Sequence, residues 1–134
     1  MTVNPYLALK GTSRDAIEFY KTVLDARVLF VQTVGESPMP DMGPAENIMH
    51  CTLGIGDSII MLSDDPNPQS TVAASNITLA ISLDQVDKAK QVFENLSKNG
   101  TVTMPMEKTF WAEAFGMVTD QFGIQWAINC EAKK

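Results

Sequence analysis

Histidine is almost absent from this sequence: among 134 residues, only His50 carries an imidazole. A metal centre built on several histidines is therefore excluded from the outset. Cysteine is scarce as well. Cys51 and Cys130 stand far apart in no metal-type spacing, and a structural disulfide is not expected in a reducing compartment. Basic residues fall short of acidic ones, 10 Lys and Arg against 16 Asp and Glu, for a net charge of −6 and a pI near 4.6. A phosphate backbone or an anionic bilayer is gripped by a basic face, so neither nucleic acid nor membrane is expected as a partner. Long apolar runs are missing too. Ile59-Ile60-Met61-Leu62 is typical, far short of the roughly 20 residues that cross a bilayer. The opening Met1-Thr2-Val3-Asn4-Pro5 has neither the basic region nor the apolar core of a secretion signal, which makes a cytoplasmic protein the expectation. No strand runs into a Gly-rich turn and helix of the dinucleotide or S-adenosylmethionine type, and Gly54-Ile55-Gly56 reads as a hairpin, so no cofactor is expected.

What the chain does have is an ordinary globular composition, 45% apolar and 19% charged, at a length that suits one domain with a real core. Inside that length the two halves share a plan. A short apolar segment, Pro5 to Leu9, leads into an amphipathic helix from Asp15 to Leu24. A similar segment, Thr78 to Leu83, leads into another from Val86 to Leu96. Placing Ala16 over Ala89 puts Leu9 over Ser82. Thr12-Ser13-Arg14-Asp15 fits a capping pattern for the first helix, Asp84 opens the second, and Asn99-Gly100 stops it in a left-handed cap. Strand-like stretches follow each helix: Ala26 to Val34, Asn47 to Ile55 and Ser58 to Ser63, then Thr101 to Met104, Ala114 to Thr119 and Gly123 to Cys130. Gly56-Asp57 and Gln121-Phe122-Gly123 supply hairpin turns. Paired β-α-β-β-β modules, about 3–65 and 76–131 within a single domain over 1–134, build a curved mixed sheet around a central cavity. The long loops Gly35 to Glu46 and Asp64 to Ser75 suit functional lids or disordered connections.

Strand alternation assigns the faces. Met49, Cys51, Leu53 and Ile55 form a core set, which leaves His50 and Thr52 on the concave side. Leu79, Ile81 and Leu83 pack under the second helix, with Thr78, Ala80 and Ser82 opposite. Trp126 and Ile128 are core, so Gln125, Ala127 and Asn129 line the cavity, and Ile59, Met61 and Ser63 point the same way. His50 has two readings: an acid-base or hydrogen-bonding group of the pocket, or a structural histidine tied to a neighbouring strand. Trp111, Phe110 and Phe115 wall an apolar pocket or belong to core or interface, with Glu113 among them. Asp64 and Asp65 suit either a pocket rim or an ordinary turn. Met39, Met42, Met104 and Met106 suit an adaptable pocket or core filling. Cys51 and Cys130, on core faces, are expected to be inert thiols.

Several of these residues carry a resemblance: Asn4-Pro5-Tyr6-Leu7, Ala16-Ile17-Glu18-Phe19-Tyr20, Ile48-Met49-His50, Gly56-Asp57-Ser58 with Met61-Leu62-Ser63-Asp64, Thr109-Phe110-Trp111-Ala112, Phe115-Gly116-Met117-Val118-Thr119-Asp120 with Phe122-Gly123, and Asn129-Cys130-Glu131. Along essentially its whole length the chain resembles the PhnB-like branch of the vicinal oxygen chelate superfamily, the glyoxalase, bleomycin-resistance and extradiol-dioxygenase fold. The resemblance implies paired modules assembled as a homodimer. In metal-dependent members, four inward strand positions carry His, Glu or Gln. Those positions fall here at Pro5, Met61, Thr78 and Ala127, none a credible ligand, so no standard metal site is expected. The expected function is metal-free binding of a small molecule by His50, Met61, Trp111, Phe115, Gln125 and Asn129. The alternatives are an enzyme of lyase, isomerase or dioxygenase type with a nonstandard site, using His50 and Glu113, or a protein that sequesters a drug or toxin.

Overall fold

Both halves realise the expected order of strand, helix and three strands, in a computed structural model that describes residues 1–38, 43–66 and 76–131. The chain divides into two compact units, Met1–Thr71 and Val72–Lys134. In the first, β1 (Tyr6–Leu9), α1 (Ser13–Leu24), β2 (Arg27–Thr33), β3 (Ile48–Ile55) and β4 (Ser58–Asp64) give a four-stranded sheet in the order β1-β4-β3-β2. In the second, β5 (Leu79–Leu83), α2 (Val86–Leu96), β6 (Thr101–Glu107), β7 (Ala112–Thr119) and β8 (Gln125–Glu131) give β5-β8-β7-β6. β1 pairs with β4, and β5 with β8, in parallel; all other pairings are antiparallel. Met39 and Met42, and most of the loop from Asp64 to Ser75, lie outside the described residues. Among the described residues no helix is long and apolar enough to cross a membrane.

Each helix covers one face of its own sheet. On α1 the buried stripe is Ala16, Ile17, Tyr20 and Val23; on α2 it is Ala89, Val92 and Leu96. Beneath α1 lie Leu7, Leu9, Cys51, Leu53, Ile60 and Leu62. The second sheet buries Ala114, Val118, Trp126, Ile128 and Cys130 in the same alternating way. Each such Leu or Ile is worth about 1.5–3 kcal/mol of burial. The alternation puts His50, Thr52, Ile59, Met61 and Ser63 on the opposite, helix-free face, and Gln125, Ala127 and Asn129 likewise. At one point it breaks: a register shift in β2–β3 between Gln32 and Thr33 turns Ile48 inward, although it shares the parity of His50.

Several local expectations need correction. Leu9 faces the core while Ser82 is exposed, so the alignment that matches the helices slips by one residue in the preceding strands. Leu9 is the counterpart of Leu83. The extra residue sits in the connection to α1, where Gly11 at φ +76° turns the chain as a Cβ-bearing residue would resist. Nor does Thr12 cap α1 with its side chain. Ser13 N–H donates instead to Asp64 Oδ1 at 3.0 Å, and Ile48 N–H donates to Asp64 Oδ2 at 2.8 Å. Asp64 is thus a buried brace between helix and sheet, neither pocket rim nor turn, and its charge suits the helix N-terminus. At α2 the N-cap is Gln85, also without a side-chain cap bond, where Asp84 was expected to open the helix. Asn99 adopts the left-handed conformation, at φ 58°, but the helix ends before it, at Leu96, and its cap residue Ser97 is right-handed.

Candidate functional site

In the first unit the helix-free face gathers around His50. Tyr6 Oη lies 3.2 Å from His50 Nδ1, and Nε2 lies 3.0 Å from Thr52 Oγ1. The Phe30 ring stands edge-on to the imidazole at 6.0 Å, and the Tyr6 ring is tilted at 5.6 Å. These contacts follow from register: Tyr6 pairs with Met61, Met61 with Thr52, and Thr52 with Phe30. Tyr6 is 50% exposed, and His50 beside it is half-buried. Sequence reasoning missed Tyr6 as part of this group. The signal was present, because with Leu7 and Leu9 facing the core, Tyr6 must share the face of His50.

In the second unit Phe115 and Asn129 are cross-strand partners on the helix-free face, and Ser82 pairs with Asn129 from the other side. Trp111 meets Phe115 edge to face at 5.4 Å and Phe110 at 4.8 Å. Trp111 is 47% exposed and Phe110 95%. Thr109 presents both: its Oγ1 accepts the N–H groups of Trp111 and Ala112, fixing the turn into β7. Gln125 Nε2 donates to Ile77 O at 2.7 Å, which ties its amide to the approach of β5. Asn129 differs. Among the described residues its Oδ1 is shut from solvent and unpaired, a condition that costs about 1–3 kcal/mol.

Glu113 lines a depression of about 300 Å³ with Asp84, Asp87 and Glu131 at the start of α2. Carboxylates near a helix start suit its positive end. Among the described residues the hydrogen-bond partners of His50 are Tyr6 and Thr52, neither of them a carboxylate. Cys51 and Cys130 are buried free thiols, and burial pushes Cys51 up to about 11, far from a reactive thiolate.

The donor chemistry of the four carried-over positions does not suit a hard or borderline divalent ion. Pro5 offers only a carbonyl, and that accepts Met61 N–H at 3.0 Å. Met61 offers a thioether and Ala127 a methyl group, and Thr78 has a lone hydroxyl. Register pairs Met61 with Tyr6 and Ala127 with Ala80, so shifting the first-strand positions onto the helix-free face still assembles no His or carboxylate set. Among the described residues no group of three His, Cys, Asp or Glu side chains is placed to hold a metal ion.

Two four-stranded mixed sheets, each backed by one helix and reached through β-α-β-β-β connections, define the class. The chain belongs to the Glyoxalase/Bleomycin resistance protein/Dioxygenase superfamily, whose family model matches residues 3–128. It is 38% identical to Protein YjdN of Escherichia coli over 96% of this chain and 95% of that protein. Among solved structures it is similar to protein PA1353 from Pseudomonas aeruginosa, with a TM-score of 0.87, 32% identity and 99% coverage of both chains. A PhnB protein from Bacillus cereus shares the fold at a TM-score of 0.85 and 18% identity, over 97% of this chain and 99% of that one.

Proposed function

We propose that this protein binds a small organic molecule without a metal ion, on the helix-free faces of its sheets. His50 and Met61 with Tyr6 serve in the first unit, and Trp111, Phe115, Gln125 and Asn129 in the second. The observation that carries this reading is the chemistry of those faces. They offer aromatic rings and a few polar atoms, the usual make-up of a small-ligand site, where metal-dependent members of the superfamily would carry ligands. The protein acts as a cytoplasmic homodimer. The apolar edge strand β2, with Val28, Leu29, Phe30 and Val31 all exposed, gives the pairing a surface to bury.

Elemental analysis and native mass spectrometry of protein purified from its own host test the reading together. The expected result is a dimer without stoichiometric metal, carrying a small-molecule adduct. About one Zn, Ni, Mn or Fe per chain overturns the metal-free account, since a genuine site retains its ion. A monomer mass at micromolar concentration overturns the dimer.

A second reading is favoured by one contact, Tyr6 Oη against His50 Nδ1. An imidazole paired with a phenol can relay a proton to a bound molecule, so the same face would serve an enzyme. Turnover of a bound compound, abolished by both Tyr6→Phe and His50→Ala, distinguishes catalysis from binding alone.

A further inference from the structure

Three aromatic rings meet at steep angles where the chain enters β7. Phe110 stands at 81° to Trp111 with ring centroids 4.8 Å apart, and Trp111 at 68° to Phe115 with centroids 5.4 Å apart. Where the edge of one ring abuts the face of the next, the corner beside the contact is walled by π faces of both. Exposure of 95% at Phe110 and 47% at Trp111 leaves these corners open to solvent. The cross-strand neighbour of Phe115 on β6 is Glu107, an exposed carboxylate on the same face. Among the described residues no ion pair or hydrogen bond engages that carboxylate, and Lys108, the one Lys or Arg between Glu107 and Glu131, is not joined to it.

We propose that this aromatic corner holds a small organic cation, with a methylated ammonium against the faces of Trp111 and Phe115 and with Glu107 supplying the opposite charge. The inference rests on the small-molecule reading above and adds the charge of the ligand. A ring face is the negative part of the aromatic quadrupole, so two faces set at an angle attract one positive centre together. A primary ammonium is strongly hydrated and carries three N–H donors that rings satisfy poorly. Methylation removes those donors and spreads the charge over apolar surface, which suits a corner walled by carbon. An anion in the same place would meet the negative ring faces and Glu107 alike.

Choline, its carbon isostere dimethylbutanol and the anion dimethylbutanoate share a shape and differ in charge, so they test this on the full chain. Titration is followed by NMR at the indole N–H of Trp111. The indole N–H of Trp126, buried and donating to Asp120, is the internal control. Choline is expected to bind about two- to fivefold tighter than the alcohol, the worth of one exposed cation–π contact, and the anion to bind weakest. Glu107→Gln should narrow the gap, and so should added salt. Trp111→Leu, which keeps an apolar side chain without a π face, should abolish it. The wild-type ranking needs no variant, so a misfolded Trp111→Leu leaves the test intact. Equal binding of choline and the alcohol, with both weakened by Trp111→Ala, overturns the cation inference and leaves the aromatic binding site standing. Tightest binding by dimethylbutanoate also overturns it. Choline heads a lipid as well, and sedimentation with phosphatidylcholine vesicles, where none is expected, overturns a free small molecule as its source. If none of the three probes moves the Trp111 signal, both the inference and the binding reading in this unit fall.

Discussion

The two sheets are copies of one plan, and their faces have diverged unequally. Pairing fixes the correspondence: Tyr6 with Met61, Met61 with Thr52 and Thr52 with Phe30 in the first unit match Ala80 with Ala127, Ala127 with Met117 and Met117 with Met104 in the second. By the same register His50 answers to Phe115 and Ser63 to Asn129. On the helix side the matches are conservative, Leu62 for Ile128 and Leu53 for Val118, because a helix must pack there. On the helix-free side a hydrogen-bonded group of Tyr6, His50 and Thr52 stands against alanines, methionines and an amide whose oxygen has no partner among the described residues. Packing constrains the helix-backed face of each unit, while the helix-free faces of the two units carry different side-chain chemistry.

The largest expected effect comes from the carboxylates that stitch each unit. Asp64 takes two backbone N–H groups in the first unit. Asp120, also buried, takes those of Phe122 and Ile124 and the indole N–H of Trp126 in the second. Either Asp→Ala change strands buried donors and should cost about 3 kcal/mol, read as a lowered denaturation midpoint. A loss in Asp64→Ala much smaller than in Asp120→Ala would show that the first unit does not depend on its brace.

Next comes the helix side, where Cys51 in one unit answers to Gly116 in the other. A Cβ on Gly116 would come within 2.8 Å of the Phe93 ring and 3.1 Å of the Met106 Cα. Gly116→Ala should therefore cost about 1–3 kcal/mol through overpacking, although the first unit accommodates a larger side chain at the same place. Unchanged stability would mean that α2 shifts freely on its sheet.

Smaller still is the pH response of Cys51. Burial raises its thiol to about 11 from an ordinary value of 9.0, so folding favours the protonated form. Its stabilising contribution is full below the unfolded value and is lost as pH rises toward the folded one. Cys51 should accordingly resist alkylation until the protein unfolds, a protection that mass spectrometry of labelled peptides can follow.

Much of this was legible in the sequence, for a physical reason. A strand with one face against a helix must alternate, so the placement of His50, Met61, Gln125 and Asn129 follows from Cys51, Leu53, Trp126 and Ile128. What depended on distant partners was not legible. Asp64 reads as the start of a turn because Ser13, whose N–H it takes, is 51 residues away. Tyr6 is separated from His50 by 44 residues and meets it only across β4. The one-residue slip between Leu9 and Ser82 was hidden because the helices align without it, and only the turn at Gly11 absorbs the difference.

The central claim is that the helix-free faces bind and the helix-backed faces fold. Its most direct test sets stability beside affinity in His50→Ala and Trp111→Ala. Thermal unfolding should show each variant losing about 1 kcal/mol or less, because His50 is only half-buried and Trp111 largely exposed. Binding of the small molecule carried by the purified protein, followed by native mass spectrometry, should be weakened or lost in both. A large fall in melting temperature with unchanged ligand retention would contradict the account, because it would make these side chains part of the core and leave the proposed site without its residues.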